Sequence, residues 1–166
     1  MEPSLRAIGL VCGMKRISTL VVFATALLLV ANAWAASNLQ LAPNLSFTDD
    51  SSPNFPITGS AMDSGEAAGK ATVIFFGTSN CWNTAREAER LVKLYPQYKD
   101  RMDFVVVDLN RVSPDQKALV ARYYRGFIPT IAIVDAKGNV VYDKAGETAS
   151  SRGDAGNLQK LLDSAN

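Results

Sequence analysis

The sequence predicts an α/β domain with a mixed central β-sheet flanked by helices on both faces. Two observations predict it. Short continuous apolar runs alternate with segments of helical period, and the last two runs are separated by a tight-turn signal. Ala71 to Phe76 (ATVIFF) is apolar, β-branched and aromatic throughout, the pattern of a strand covered on both faces. Gly77-Thr78-Ser79-Asn80 is turn chemistry. Ala85, Ala88, Leu91, Val92 and Tyr95 then recur at spacings of mostly three and four, an amphipathic helix that Pro96 should end or kink. Its outer face is expected to carry Arg86, Glu87, Glu89, Arg90 and Lys93 as solvated charge.

Phe104 to Asp108 (FVVVD) is a second buried strand. Ser113-Pro114-Asp115 should open a helix with a capping hydroxyl and a proline in the first turn, turning Ala118, Leu119 and Tyr123 inward. Thr130 to Val134 (TIAIV) is a third strand, and Lys137-Gly138-Asn139 is a hairpin turn into Val140-Val141-Tyr142. A last helix over about Asp154 to Ser164 points Leu158, Leu161 and Leu162 at the sheet. Ahead of these elements, residues 36–69 are rich in Ser, Asn, Asp, Pro and Gly. They form an extended lead-in with one short strand and a short helix near Ala61 to Ala68.

Residues 1–35 have a different character. Lys15 and Arg16 precede an apolar run from Ile17 to Ala31, and Ala33-Trp34-Ala35 fits a small-x-small cleavage site. A basic start, a short apolar stretch and small residues before the cut make a secretory signal peptide. Cleavage after Ala33 fits almost as well, and Met14 is an alternative start. The run falls short of the roughly 20 residues that span a bilayer, so an uncleaved anchor is the weaker reading. The expectation is an exported protein, periplasmic or secreted, with no stable membrane insertion after cleavage.

Composition narrows the chemistry. The chain has 166 residues, 17 Lys+Arg against 16 Asp+Glu, two cysteines and no histidine. Balanced charge offers no footprint for nucleic acid. Without histidine there is no Ser-His-Asp or Cys-His machine and no His-ligated metal site; two cysteines cannot close a four-cysteine site. Neither a metal nor a cofactor is expected. Removing residues 1–35 from 166 leaves 131 and takes Cys12 with it, along with Arg6, Lys15, Arg16 and Glu2, so the net charge moves from +1 to −1. The one cysteine left is Cys81, and no internal disulfide can staple the exported domain.

Three segments in this order resemble the thioredoxin-like superfamily. VIFFGTSNCWNTA places Cys81 at a helix start, like the family's Trp-Cys-x-x-Cys segment. Gly126 to Thr130 (GFIPT) is similar to the family's Gly-Ile-Pro-Thr, and TIAIVDAKGNVVYDKAGE is similar to its closing hairpin. The match covers residues 70–166, expected to be the thioredoxin-like domain. The resemblance implies a cis Pro129 whose loop faces the active cysteine. It also marks three departures: the second family cysteine falls at Thr84, the preceding tryptophan at Asn80, and the buried acid at Phe75. A two-cysteine reduction cycle is therefore not available.

Cys81 at a helix N-terminus meets the positive end of the macrodipole and backbone N–H groups, both of which favour thiolate. Positions 81 and 84 share a helical face, so the Thr84 hydroxyl is expected to donate to the sulfur. Trp82 and Ile128 would line an apolar rim for an extended peptide, with the backbone beside cis-Pro129 offering edge hydrogen bonds. Two functional readings stand. In one, Cys81 exchanges with client protein thiols or disulfides: it attacks a disulfide, glutathione adduct or sulfenic acid on a client to form a mixed disulfide, which an external low-molecular-weight thiol resolves, because Thr84 cannot. In the other, the domain is a non-catalytic binding module that uses the cis-Pro groove, with Cys81 packed as a small hydrophobe. A disulfide-linked dimer through Cys81 is a third outcome. Asp49-Asp50, Asp63-Glu66 and Glu87-Glu89 are expected to be solvated surface. Arg122 to Arg125 should supply core aromatics and helix-end charge.

Overall fold

A computed structural model describes residues 38–62, 65, 69–148 and 154–165. The expected signal peptide, Met14, Cys12 and Trp34 lie outside the described residues, as do Asp63 and Glu66. Among the described residues the elements are, in chain order, β1 (Leu39–Leu41), β2 (Ile57–Gly59), β3 (Ala71–Gly77), α1 (Trp82–Tyr98), β4 (Met102–Asp108), a 3-10 turn (Pro114–Gln116), α2 (Lys117–Tyr123), β5 (Thr130–Val134), β6 (Val140–Ala145) and α3 (Ala155–Ala165). Among the described residues no helix is long and apolar enough to cross a membrane.

The main sheet runs β4-β3-β5-β6. β3 and β4 are parallel; β5 lies antiparallel to β3, and β6 antiparallel to β5. The expected mixed sheet is thus present. Its continuous apolar strands are explained by the alternation of their side chains. Val73, Phe75, Phe104, Val106, Ile131 and Ile133 pack with α1 and α3 on one face. Ile74, Phe76, Val105, Val107, Ala132 and Val134 pack with Leu119 and Tyr123 of α2 on the other.

Several local expectations are corrected. The lead-in holds two short strands, β1 and β2, paired antiparallel, where one was expected. Leu39, Phe55, Ile57 and Ala61 enter the core on the α1 side, which repays the ordering of this otherwise polar stretch. Ala61 and Met62 form a turn, and most of the expected 61–68 helix lies outside the described residues. Pro96 does not end α1, which continues to Tyr98. Only the proline's own N–H is lost, and the Lys99 N–H still reaches the Tyr95 carbonyl at 2.9 Å. Ser113 does not cap α2; its hydroxyl is buried without a partner. Gln116 ties this turn down instead, its amide donating to the carbonyls of Val106 (2.9 Å) and Met62. Ala118 is exposed, so α2 buries Leu119 and Tyr123 instead, with Val120 packed against the same cluster.

Candidate active site

β3 delivers the chain to the site. Its last residue, Gly77, has no side chain for a specific reason: a Cβ there would lie 2.4 Å from Thr84 Cγ2 and 3.1 Å from the Phe75 ring. The start of α1 therefore packs directly on the end of the strand. Asn80 then adopts a left-handed conformation (φ 52°), which asparagine tolerates better than most residues. Cys81 follows in an extended conformation (φ −145°, ψ 107°) as the residue before the helix, and its side chain makes no capping bond. The thiol is free and half-buried.

Thr84 sits one turn on and is wholly buried, with its hydroxyl lacking any hydrogen-bond partner. The expected Thr84-to-sulfur hydrogen bond is absent. Its premise was helical i,i+3 geometry, and Cys81 stands outside the helix with extended backbone. Asn83 Oδ1 is likewise buried and unpartnered. Trp82 is half-buried beneath the Arg86 guanidinium, 5.5 Å from the ring centroid.

The other wall comes from β5. The Ile128–Pro129 peptide is cis. Register places Thr130 opposite Phe76, so Pro129 stands beside Gly77 at the same sheet edge that carries Cys81. Phe127 and Ile128 are exposed, at 63% and 40%, and Pro129 is buried. The Pro129 carbonyl is not an open edge acceptor, because it already takes the Gly146 N–H at 2.9 Å. Ile128 is thus exposed at this end of the sheet, whereas Pro129 lies buried beside it.

Sequence reasoning missed a contact from the lead-in. The Trp82 N–H donates to Asp50 Oδ1 at 2.9 Å, and the Asn80 N–H donates to the Ser52 carbonyl at 3.0 Å. Asp50 is exposed but engaged, which corrects its reading as plain solvated surface. Nothing local in the sequence signals a partner thirty residues away.

A larger correction concerns α1 beyond its first turn. Glu87 and Arg90 are buried, not solvated, and pair with each other. Arg90 also lies 3.6 Å from Glu147, and Arg86 lies 3.5 Å from the same carboxylate, whose side chain is buried too. Burial pushes the Glu87 carboxyl above its ordinary range, and Arg90 only partly offsets this. Burial and the nearby Glu87 charge also raise the Tyr142 hydroxyl. A cleft of about 560 Å³ opens beside this cluster, walled by Glu87, Arg90, Tyr142, Leu158 and Leu161 and not by Cys81. The Arg122 to Arg125 run behaves as expected: Tyr123 is core, Tyr124 packs on Phe76 at 5.8 Å, and Arg125 pairs with Asp143 at 3.2 Å.

Three features now stand together: a half-buried cysteine at the mouth of α1, a cis-proline opening the neighbouring strand, and the β4-β3-β5-β6 mixed sheet with helices on both faces. The domain has a thioredoxin-like fold. No family model matches the chain, and no curated protein does. The solved structures similar to this thioredoxin-like domain include an uncharacterized thioredoxin-like protein from Clostridium perfringens. It is 21% identical, with 60% of this chain and 74% of that one covered and a TM-score of 0.48. Thioredoxin from Fasciola hepatica is 17% identical over 60% of this chain and 84% of its own, with a TM-score of 0.46. The germline-specific thioredoxin Deadhead of Drosophila melanogaster is 16% identical over 59% and 83%, also with a TM-score of 0.46.

Proposed function

We propose that this thioredoxin-like protein is an exported monothiol exchange domain in which Cys81 is the nucleophile. The observation that carries the reading is the placement of a free, half-buried cysteine immediately before α1, with threonine where a resolving thiol would stand. The Cys81 thiolate attacks the sulfur that a low-molecular-weight thiol has left on a client cysteine. A new S–S bond forms to Cys81, the old one breaks, and the client departs as a thiolate. A second low-molecular-weight thiolate then attacks that adduct, leaving as its own disulfide and returning Cys81 to the thiolate. Electrons come from the external thiol throughout, as Thr84 supplies none.

The test is reduction of a mixed-disulfide substrate with glutathione as co-reductant, in wild type and in Cys81→Ser. Loss of the catalysed rate in the variant supports exchange, and equal rates overturn it. Equal rates would favour a second reading, a binding module without turnover, for which the exposed Phe127 and Ile128 supply an apolar contact surface. A non-reducing gel that showed mostly dimer would instead point to an intermolecular bridge through Cys81. Export rests on the N-terminal sequence. N-terminal sequencing of the protein recovered from the cell envelope or medium should begin at Trp34 or Ala36, and a start at Met1 or Met14 would remove that part of the proposal.

A further inference from the structure

The residues on either side of Cys81 are both fastened to the lead-in. Asn80 donates its N–H to the Ser52 carbonyl, and Trp82 donates its N–H to the Asp50 carboxylate. The loop that makes these contacts is itself fixed. The Ser46 N–H donates to Ser52 Oγ at 2.6 Å, the Ser51 N–H donates to Asp49 Oδ1 at 3.0 Å, and Ser52 is buried. At its base the Ala42 N–H reaches the Pro56 carbonyl at 2.9 Å, beside the β1–β2 pair. The contact is thus one end of a built strap.

The first N–H of a helix has no partner within it and lies where the macrodipole favours negative charge, while the side chain just before the helix reaches the second and third N–H groups. Here Cys81 makes no capping bond, and a carboxylate from another part of the chain takes the first N–H, bringing a negative charge to the same helix mouth. Two negative charges at one helix mouth repel, so each opposes the other's presence.

We propose that residues 46–52 form an attenuating strap on Cys81, in which Asp50 occupies the helix N–H and supplies the negative charge that a thiolate would otherwise bring there. Asp50 is a positioning residue acting on Cys81 through the mouth of α1. Its carboxylate also disfavours anionic partners approaching the sulfur. The inference rests on Cys81 as the reacting group, but it concerns that group's reactivity and not disulfide turnover.

Alkylation of Cys81 at neutral pH and low salt tests it, followed by peptide mapping with neutral iodoacetamide and with anionic iodoacetate. Asp50→Asn keeps an oxygen acceptor for the Trp82 N–H and removes the charge. Its rate with iodoacetamide should rise about two- to five-fold, the size of a helix-terminus charge effect. The rise with iodoacetate should be larger by about a further two-fold, and added salt should narrow the difference. Asp50→Glu should restore the wild-type preference between the reagents. Asp100→Asn, which removes an equal exposed charge just past the far end of α1, should change little. Equal rates in wild type and Asp50→Asn, or an equal gain from Asp100→Asn, would overturn the strap. A faster Asp50→Asn protein that exchanges no disulfide would sustain the strap and sink the exchange reading. Exchange through Cys81 with no effect of Asp50 would do the reverse.

Discussion

The first turn of α1 and the two turns that follow treat polar groups in opposite ways. Around Cys81 the thiol is free, and Asn83 Oδ1 and the Thr84 hydroxyl are buried without partners. One to two turns later, Glu87 and Arg90 are buried more deeply than Cys81, yet they are interlocked with Glu147. An unpartnered neutral hydroxyl costs about 1–3 kcal/mol, which a fold can carry. An unpartnered buried charge costs far more, so it must be fastened. The same helix therefore has a first turn that leaves side-chain polar atoms unpaired, where chemistry is proposed, and a middle whose buried charges are paired.

The sharpest way to break this contrast is to remove the cation at its centre. Arg90→Met keeps a long apolar stem and leaves Glu87 without its partner. The expected loss of stability is about 3–5 kcal/mol, read as a lower denaturant midpoint at neutral pH. A loss below about 1 kcal/mol would mean the cluster is no more determined than the first turn.

How much of this was legible in sequence divides along the same line. Strands β3, β4 and β5 announced themselves because both faces are covered, so the runs Val73 to Phe76, Phe104 to Val107 and Ile131 to Val134 hold no polar residue. The Gly77 to Cys81 turn and Ile128-Pro129 were visible as local motifs. Glu87 and Arg90 were misplaced because charge was read as exposure. A subtler signal was present: Glu87 extends the row Leu91, Leu94 and Tyr98 by one turn at helical spacing. The second carboxylate on Arg90, Glu147, follows β6, far along the chain, and the room for Glu87 comes from Gly146, where a Cβ would lie 2.6 Å from the Glu87 carboxyl carbon. Asp50 at the mouth of α1 was illegible for the same reason of distance.

Gly77→Ala attacks the first turn through packing. The added methyl must displace Thr84 Cγ2 at 2.4 Å, an overpacking expected to cost about 1–3 kcal/mol. Thr84→Ser in the same chain deletes that methyl and should recover most of the loss, giving a coupling of about 1 kcal/mol or more in a double-mutant cycle. Additive losses would show that the strand end and the helix start are not in the contact described.

Acid titration probes the fastened middle. Glu87 is raised above 4.5, chiefly by burial, so the unfolded chain ionises at lower pH than the folded one. Between 4.5 and the raised folded value the unfolded state therefore holds fewer protons, and stability falls as pH rises. Glu87's favourable contribution is complete below 4.5 and is lost above its folded value. Glu87→Gln should flatten this part of the stability curve. The variant should cost about 1 kcal/mol from the altered bond to Arg90, since Glu147 still balances that cation. Denaturant midpoints for wild type and variant from about pH 4 to 7 measure both quantities. Parallel curves would show that Glu87 does not titrate differently on folding.

The smallest effect isolates what burial adds to a charge pair. Lys70 and Asp103 bridge the start of β3 to the start of β4 at 3.4 Å, with 44% and 30% of their side chains exposed. The Arg90 cluster uses the same kinds of charge at comparable separations, so distance alone does not distinguish them. Water does. At the surface each ion keeps most of its hydration when the partner is removed, and such pairs are worth about 0–1 kcal/mol. Lys70→Gln should therefore shift stability by less than about 0.5 kcal/mol, and added salt should reduce even that. Arg90→Met should keep most of its effect in the same salt, because ions do not reach the buried carboxylates. If both losses fell together with salt, the Glu87–Arg90–Glu147 cluster would be solvated, and the middle of α1 would differ from its first turn in composition only.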